Sequence, residues 1–203
     1  YGFLQGAEDA AAELALAAGA VTVTYHYTGN FDENDTNKAT AKTMFQEGTE
    51  VIFAAGGSVG KSVMAAATET SKKVIGVDVD QRYDSTTVIT SAMKGLGASV
   101  VQVLEAIYGG TWATYSGKTT YFNAANDGIG LPTMVIGSTA SAFDRFSTFN
   151  KAAYDVVFAK LVAGTTTTPM IKRSITVAAA SGVATAAELT TGLSLVKVTV
   201  TVR

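Results

Sequence analysis

Cysteine is absent from the 203 residues. That excludes a disulfide framework, a thiolate metal site and a cysteine nucleophile, while leaving the compartment open. Histidine occurs once, as His26, inside a stretch of alternating strand character from Val21 to Tyr27. A lone histidine in a strand reads as a structural or surface residue rather than a catalyst. Charge is scarce as well: charged residues make up 16% of the chain and the net charge is −2. With no basic excess, nothing favours nucleic acid or an anionic membrane surface as a partner. No apolar run approaches the roughly 20 residues that cross a bilayer, and Tyr1 to Ala7 shows no basic-then-apolar leader pattern. Apolar side chains, by contrast, are plentiful at 47% of residues, enough for a sizeable core in one domain or two small lobes.

The chain is organised around Val51 to Lys94. Val51 to Ala55 reads as a buried strand, Gly56-Gly57-Ser58-Val59-Gly60 as the tight loop after it, and Val59 to Thr70 as a helix. Val74 to Val77 is a second short strand, closed by Asp78 and Asp80, and Thr87 to Ser91 a third, leading to Lys94. Short β-rich runs alternating with helices predict parallel βαβ units and an α/β fold. In such sheets ligands meet the loops at the carboxyl ends of the strands. Those loops carry Gly56, Gly57, Ser58, Asp78, Asp80 and Lys94. The glycines allow close backbone approach to a ligand, or serve turn geometry alone. Asp78 and Asp80, at the strand end, are expected to point to opposite sides, which disfavours a two-carboxylate metal site or acid/base pair. One can face a cleft while the other braces the turn with Gln81.

Two chemistries compete for this stretch. Ala55 to Ser62 has the spacing of a phosphate-cradling P-loop between strand and helix, with Ala where the first Gly belongs. Against a P-loop ATPase or GTPase, the next strand-end acid, Asp78, follows Ser62 by only sixteen positions, and no switch region or base-recognition motif is evident. The segment Gly29 to Val63, followed by Val-Ile-Gly-Val-Asp-Val-Asp-Gln (74–81) and Val-Ile-Thr-Ser-Ala-Met-Lys (88–94), instead resembles the basic membrane protein family of bacterial substrate-binding lipoproteins, to which purine nucleoside receptors belong. The resemblance is good from Tyr1 to Leu131 and weak beyond. A surface module that binds a protein partner and no small molecule is a third reading.

The resemblance implies a fold similar to one lobe plus crossover segments of a type I periplasmic-binding protein, a parallel sheet with flanking helices. It implies residues 1–90 as a ligand-binding lobe, 91–135 as crossover and hinge segments, and 136–203 as the helix and strand completing the lobes, with most of a first lobe outside this chain. It implies capture of a small ligand, a purine nucleoside, between two hinged lobes, with delivery to an ABC importer through its permease. No reaction, no cofactor and no metal are implied. The ligand residues would be Phe31, Gly56, Gly57, Ser58, Asp78 and Lys94, with Asp78 and Lys94 meeting ribose hydroxyls. Such receptors are extracytoplasmic and held to the membrane by a lipid anchor, here outside the chain. The chain is accordingly expected to be the C-terminal part of a longer protein and to bind weakly without the other wall.

Elsewhere the expectations are local. An Ala-rich helix from Ala7 should stop at Gly19, and Asp35 or Thr36 should cap a helix running to Gln46. Phe31, at the turn after the first strand, either stacks on a flat ligand ring or anchors its loop. Val100, Val101, Val103 and Leu104 give a helical face between Gly97 and Ile107, and Trp112 to Phe122 reads as a hairpin about Ser116-Gly117. Asp127 to Leu131 should be a strand. Lys151 to Val162 should be an amphipathic helix, followed by a polar link at Thr165 to Pro169. Val198, Val200 and Val202 alternate with Thr199 and Thr201 in a final strand with one wet face. Ile175 to Ala187 is low in complexity and has no assigned element.

Overall fold

In chain order the elements are α1 (Gly2–Glu13), β1 (Val21–Tyr25), α2 (Asp35–Gln46), β2 (Val51–Phe53), α3 (Val59–Thr70), β3 (Lys73–Asp78), β4 (Val88–Lys94), α4 (Leu96–Tyr108), β5 (Ile129–Gly130), α5 (Lys151–Ala163), α6 (Ala186–Thr190) and β6 (Val198–Val202), with short 3₁₀ turns between. The computed structural model describes residues 1–164 and 185–203. The link at 165–169 and most of the 175–187 stretch lie outside these residues. The chain divides into two units, Tyr1–Gly29 with Gly164–Arg203, and Asn30–Ala163.

The larger unit is α/β. Its sheet has the order β2-β3-β4-β5, with β2, β3 and β4 parallel and β5 antiparallel to β4. The parallel βαβ reading of Val51 to Lys94 is therefore what forms. Its core joins Ala41 and Phe45 of α2 to Val59, Val63, Met64, Ala66 and Ala67 of α3, over Val74 and Val88 of the sheet. The small residues of α3 let the helix lie close on the strands. The smaller unit pairs β1 with β6 in parallel, Val21 opposite Val198 through Tyr25 opposite Val202. Leu4, Leu189 and Val198 form its buried cluster, and the Glu8 carboxylate accepts the N–H groups of Lys197 and Val198 at 2.8–3.0 Å.

Several local expectations are corrected. α1 starts at Gly2, where Leu4 packs into a buried cluster, and ends at Glu13, well before Gly19, with Ala15 turned to φ +52°. Asn34, not Asp35 or Thr36, caps α2, its side chain accepting the Asn37 N–H at 2.8 Å. Trp112 to Phe122 forms no hairpin. The N–H groups of Thr114, Tyr115, Ser116 and Lys118 donate to carbonyls three or four residues back, so they are not available to a cross-strand ladder. α5 forms as expected and covers one face, with Tyr154 buried and Phe158 and Leu161 half-buried, though Val156, Val157 and Val162 stay exposed. The apolar face of α4 also stays outside, with Val100, Val101 and Leu104 exposed and Ala106 alone buried. Thr185-Ala-Ala-Glu188 is a capping box at the start of α6, a spacing legible in the sequence.

Candidate functional site

The carboxyl ends of β2, β3 and β4 open on a hollow of about 660 Å³ within the larger unit, a size that suits one small molecule. Each wall has a local cause. After β2, Gly57 takes φ +60°, a left-handed conformation open to glycine without strain. The turn brings the loop against Phe31, whose carbonyl accepts the Val59 N–H at 3.1 Å. The Phe31 backbone thus does the anchoring, and the residue, 74% exposed, lines the hollow. Of the two roles expected of Phe31, the loop anchor is the one its backbone makes.

Behind it, Ser62 is buried and acts as a tether. Its hydroxyl accepts the Asn34 N–H and donates to the Asn34 carbonyl, both at 3.0 Å. Asn37 adds bonds to the Asn30 side chain and the Asp32 carbonyl, each 2.8 Å. The Phe31 loop is therefore tied to α2 and α3 by side chains. This places both hydroxyl bonds of Ser62 on the Asn34 backbone, where a P-loop needs that hydroxyl for magnesium. Lys61 projects outward, its Nζ 3.9 Å from an exposed Glu33 carboxylate.

At the end of β3, Asp78 sits at φ +68°, a conformation that Asp tolerates better than most residues and that marks a constrained position. The chain then turns through Asp80, which accepts the Arg82 N–H at 3.1 Å. Gln81 accepts the Val77 N–H at 2.9 Å and donates its own N–H to Ser91, which is fully buried. One acid thus lines the hollow and the other braces the turn. The Asp78 carboxylate and the Lys94 ammonium, carried by adjacent strands, meet at 2.6 Å. Both side chains are substantially exposed, and such a pair contributes about 0–1 kcal/mol to stability. Its consequence lies in what it presents: a fixed set of donors and acceptors at the edge of an apolar cavity.

Five of the expected residues, Phe31, Gly56, Gly57, Asp78 and Lys94, line this one hollow. Ser58 does not: it is the residue before α3, in helical conformation, with no capping bond from its side chain and with that side chain exposed. The remaining wall is apolar, from Phe53, Val77 and Met93 on the strands, Ile129 to Leu131 around β5, and Tyr154, Phe158 and Leu161 on α5. The α5 contribution escaped the sequence reading. Tyr154 and Phe158 are one turn apart, with ring centroids 5.4 Å from each other, and that spacing was visible, but nothing local says that α5 returns to the strand ends. The arrangement can hold a small, flat, partly apolar molecule bearing hydroxyls at one end. Among the described residues no three His, Cys, Asp or Glu side chains are grouped to hold a metal ion, and no helix is long and apolar enough to cross a membrane.

Residues 1–159 match the family model described as "ABC transporter substrate-binding protein PnrA-like". Basic membrane protein D of Borreliella burgdorferi (strain JD1) is 34% identical over 134 residues, which is 64% of this chain and 37% of that protein. The ABC transporter nucleoside-binding protein BmpA of Lactococcus lactis subsp. cremoris (strain MG1363) is 30% identical over 129 residues, 55% of this chain and 36% of that protein. The chain thus spans about a third of the length of these curated relatives. Among solved structures, an ABC transporter solute-binding protein from Aeropyrum pernix K1 aligns with TM-score 0.56 at 15% identity, covering 84% of this chain and 62% of that one. A transcriptional activator of the comK gene from Bacillus halodurans aligns with TM-score 0.52 at 16% identity, over 72% and 47%. At such identities the likeness is one of fold, an α/β fold of the periplasmic-binding-protein kind.

Proposed function

Since the chain belongs to the family of PnrA-like ABC transporter substrate-binding proteins, we propose that its hollow forms one wall of a solute trap for a purine nucleoside. The observation that carries the reading is the placing of Phe31, the Gly56-Gly57 loop and the Asp78–Lys94 pair around one apolar cavity. The exposed Phe31 ring stacks on the flat base. The Gly56-Gly57 backbone, free of side chains, approaches it closely. The Asp78 carboxylate accepts from the ribose hydroxyls and the Lys94 ammonium donates to them. The nucleoside-binding name of the Lactococcus lactis relative supports the choice of ligand. No bond is made or broken. The solute passes to the permease of an ABC importer, and the full-length protein works outside the cytoplasm on a lipid anchor. The division into a lobe at 1–90, crossovers at 91–135 and completing elements at 136–203 belongs to the same proposal. So does closure of a second wall, supplied from outside these residues, about a hinge.

Titration of the chain with inosine, adenosine and guanosine, followed by NMR, tests this. Saturable but weak binding is expected, with shifts at Gly57, Asp78 and Lys94. Asp78→Asn should weaken it roughly tenfold or more, the loss of a charge-assisted hydrogen bond to a hydroxyl. No response to any nucleoside at millimolar concentration, or equal binding by Asp78→Asn, would overturn the assignment.

A further inference from the structure

We propose that Tyr154 is a positioning residue for the Lys94 end of the site, an inference that rests on the nucleoside reading above. β5 is two residues long, Gly130 pairing with Met93 and Ile129 with Lys94. Strands of that length do not hold themselves in place. The next amide along the chain, Leu131 N–H, is not part of that ladder. It donates to the Tyr154 hydroxyl at 3.1 Å. Gly130 lies alongside: a methyl group there would stand 3.4 Å from the Tyr154 oxygen, in contact with it. The phenol is itself held. Tyr154 is 8% exposed, and its ring lies between Phe143 and Phe158, each with centroid distance 5.4 Å. Its backbone N–H bonds to the Asn150 carbonyl in the first turn of α5.

The hydroxyl therefore ties α5 to the end of β5, and β5 flanks the backbone of Lys94 on the side away from β3. On that other side Met93 is opposite Asp78. Lys94 is thus fixed between the acid it pairs with and a short strand held at one end by the Gly95 N–H on the Gly128 carbonyl, 2.9 Å, and at the other by the phenolic oxygen. Loss of that oxygen loosens the Leu131 end of β5, widens the range of positions open to the ammonium, and weakens recognition of ribose more than recognition of the base.

The test compares the chain with Tyr154→Phe, which keeps the ring and its packing. In the ligand-free protein, the Leu131 amide should exchange faster and the cross-strand contact between Ile129 and Lys94 should weaken, with circular dichroism unchanged. Adenosine and adenine are then titrated against both proteins. The wild-type preference for the nucleoside over the free base should shrink roughly fivefold in the variant, the worth of one neutral hydrogen bond, while affinity for adenine holds. Equal loss for both ligands would mark Tyr154 as structural only and overturn the inference. An unchanged preference would overturn it while leaving the site assignment standing. Absence of adenosine binding by the wild-type chain would remove the nucleoside reading, and this inference with it.

Discussion

At the scale of single residues, the shape of the hollow also depends on side chains that do not line it. Ser62 is the clearest case. A hydroxyl read as part of a phosphate loop instead joins α3 to both backbone groups of Asn34, and so fixes the turn that carries Phe31. Ser62→Ala leaves the Asn34 N–H without that partner in a part-buried place, while the carbonyl keeps the Lys38 N–H at 3.1 Å, and should cost about 1–3 kcal/mol, measured by urea unfolding. The resonances of residues 30–34 should broaden at the same time. A change of stability with no effect on that loop would contradict the tether. Asp78 illustrates a second point. Strand periodicity alone would put residues 78 and 80, two apart, on the same side; they separate because Asp78 takes a left-handed backbone and Asp80 caps the following turn. The expected division therefore holds for a reason that strand alternation does not supply.

At the scale of elements, apolar packing outweighs charge. α2 and α3 are joined by two ion pairs, Lys38–Glu69 at 2.6 Å and Lys42–Glu69 at 2.7 Å, all three side chains at the surface. Beneath them Phe45, 2% exposed, packs into the cluster with Ala66, Ala67 and Val74. Surface pairs contribute little to stability, whereas truncating a buried phenylalanine costs about 3–5 kcal/mol. Phe45→Ala should therefore lower the urea midpoint far more than Lys38→Ala and Lys42→Ala together, and equal effects would reverse this ranking. The same contrast explains which elements were foreseeable. α3 was predicted with its observed ends, because small and apolar residues recur on one face and the Gly56-Gly57 loop marks its start. The hairpin at 112–122 had turn residues and aromatic flanks, but local helical-type bonding takes up its N–H groups.

For the whole molecule, pH dependence follows from two carboxylates that tie elements together, one in each unit. Hydrogen bonds from Lys38 and Lys42 hold the Glu69 carboxyl down to about 2, against an ordinary value of 4.5. Partial desolvation pushes the Glu8 carboxyl up, but the N–H groups of Val196, Lys197 and Val198 outweigh it and leave the group below its ordinary value. A depressed folded-state value means that the unfolded chain takes up protons first as pH falls. The stabilisation is whole above the ordinary value of 4.5 and is lost as pH drops towards 2. The urea midpoint should thus decline modestly across that window, since the Glu69 pairs lie at the surface and solvent screens them, and less steeply in the variant carrying Glu8→Gln and Glu69→Gln. An identical slope in the variant would show that other groups govern acid unfolding.

The sequence by itself determined the α/β class, the parallel order of the central strands and the strand-end loops that bear Phe31, Gly57, Asp78 and Lys94. All of these follow from hydrophobic period, glycine placement and strand direction, which act over a few residues. Only the tertiary structure decided that Ser62 is a tether, that Ser58 stands off the hollow, and that Tyr154 and Phe158 close its far wall. Those outcomes depend on which groups meet across 23 to 28 residues of chain, and a contact over that distance is set by packing rather than by any local pattern.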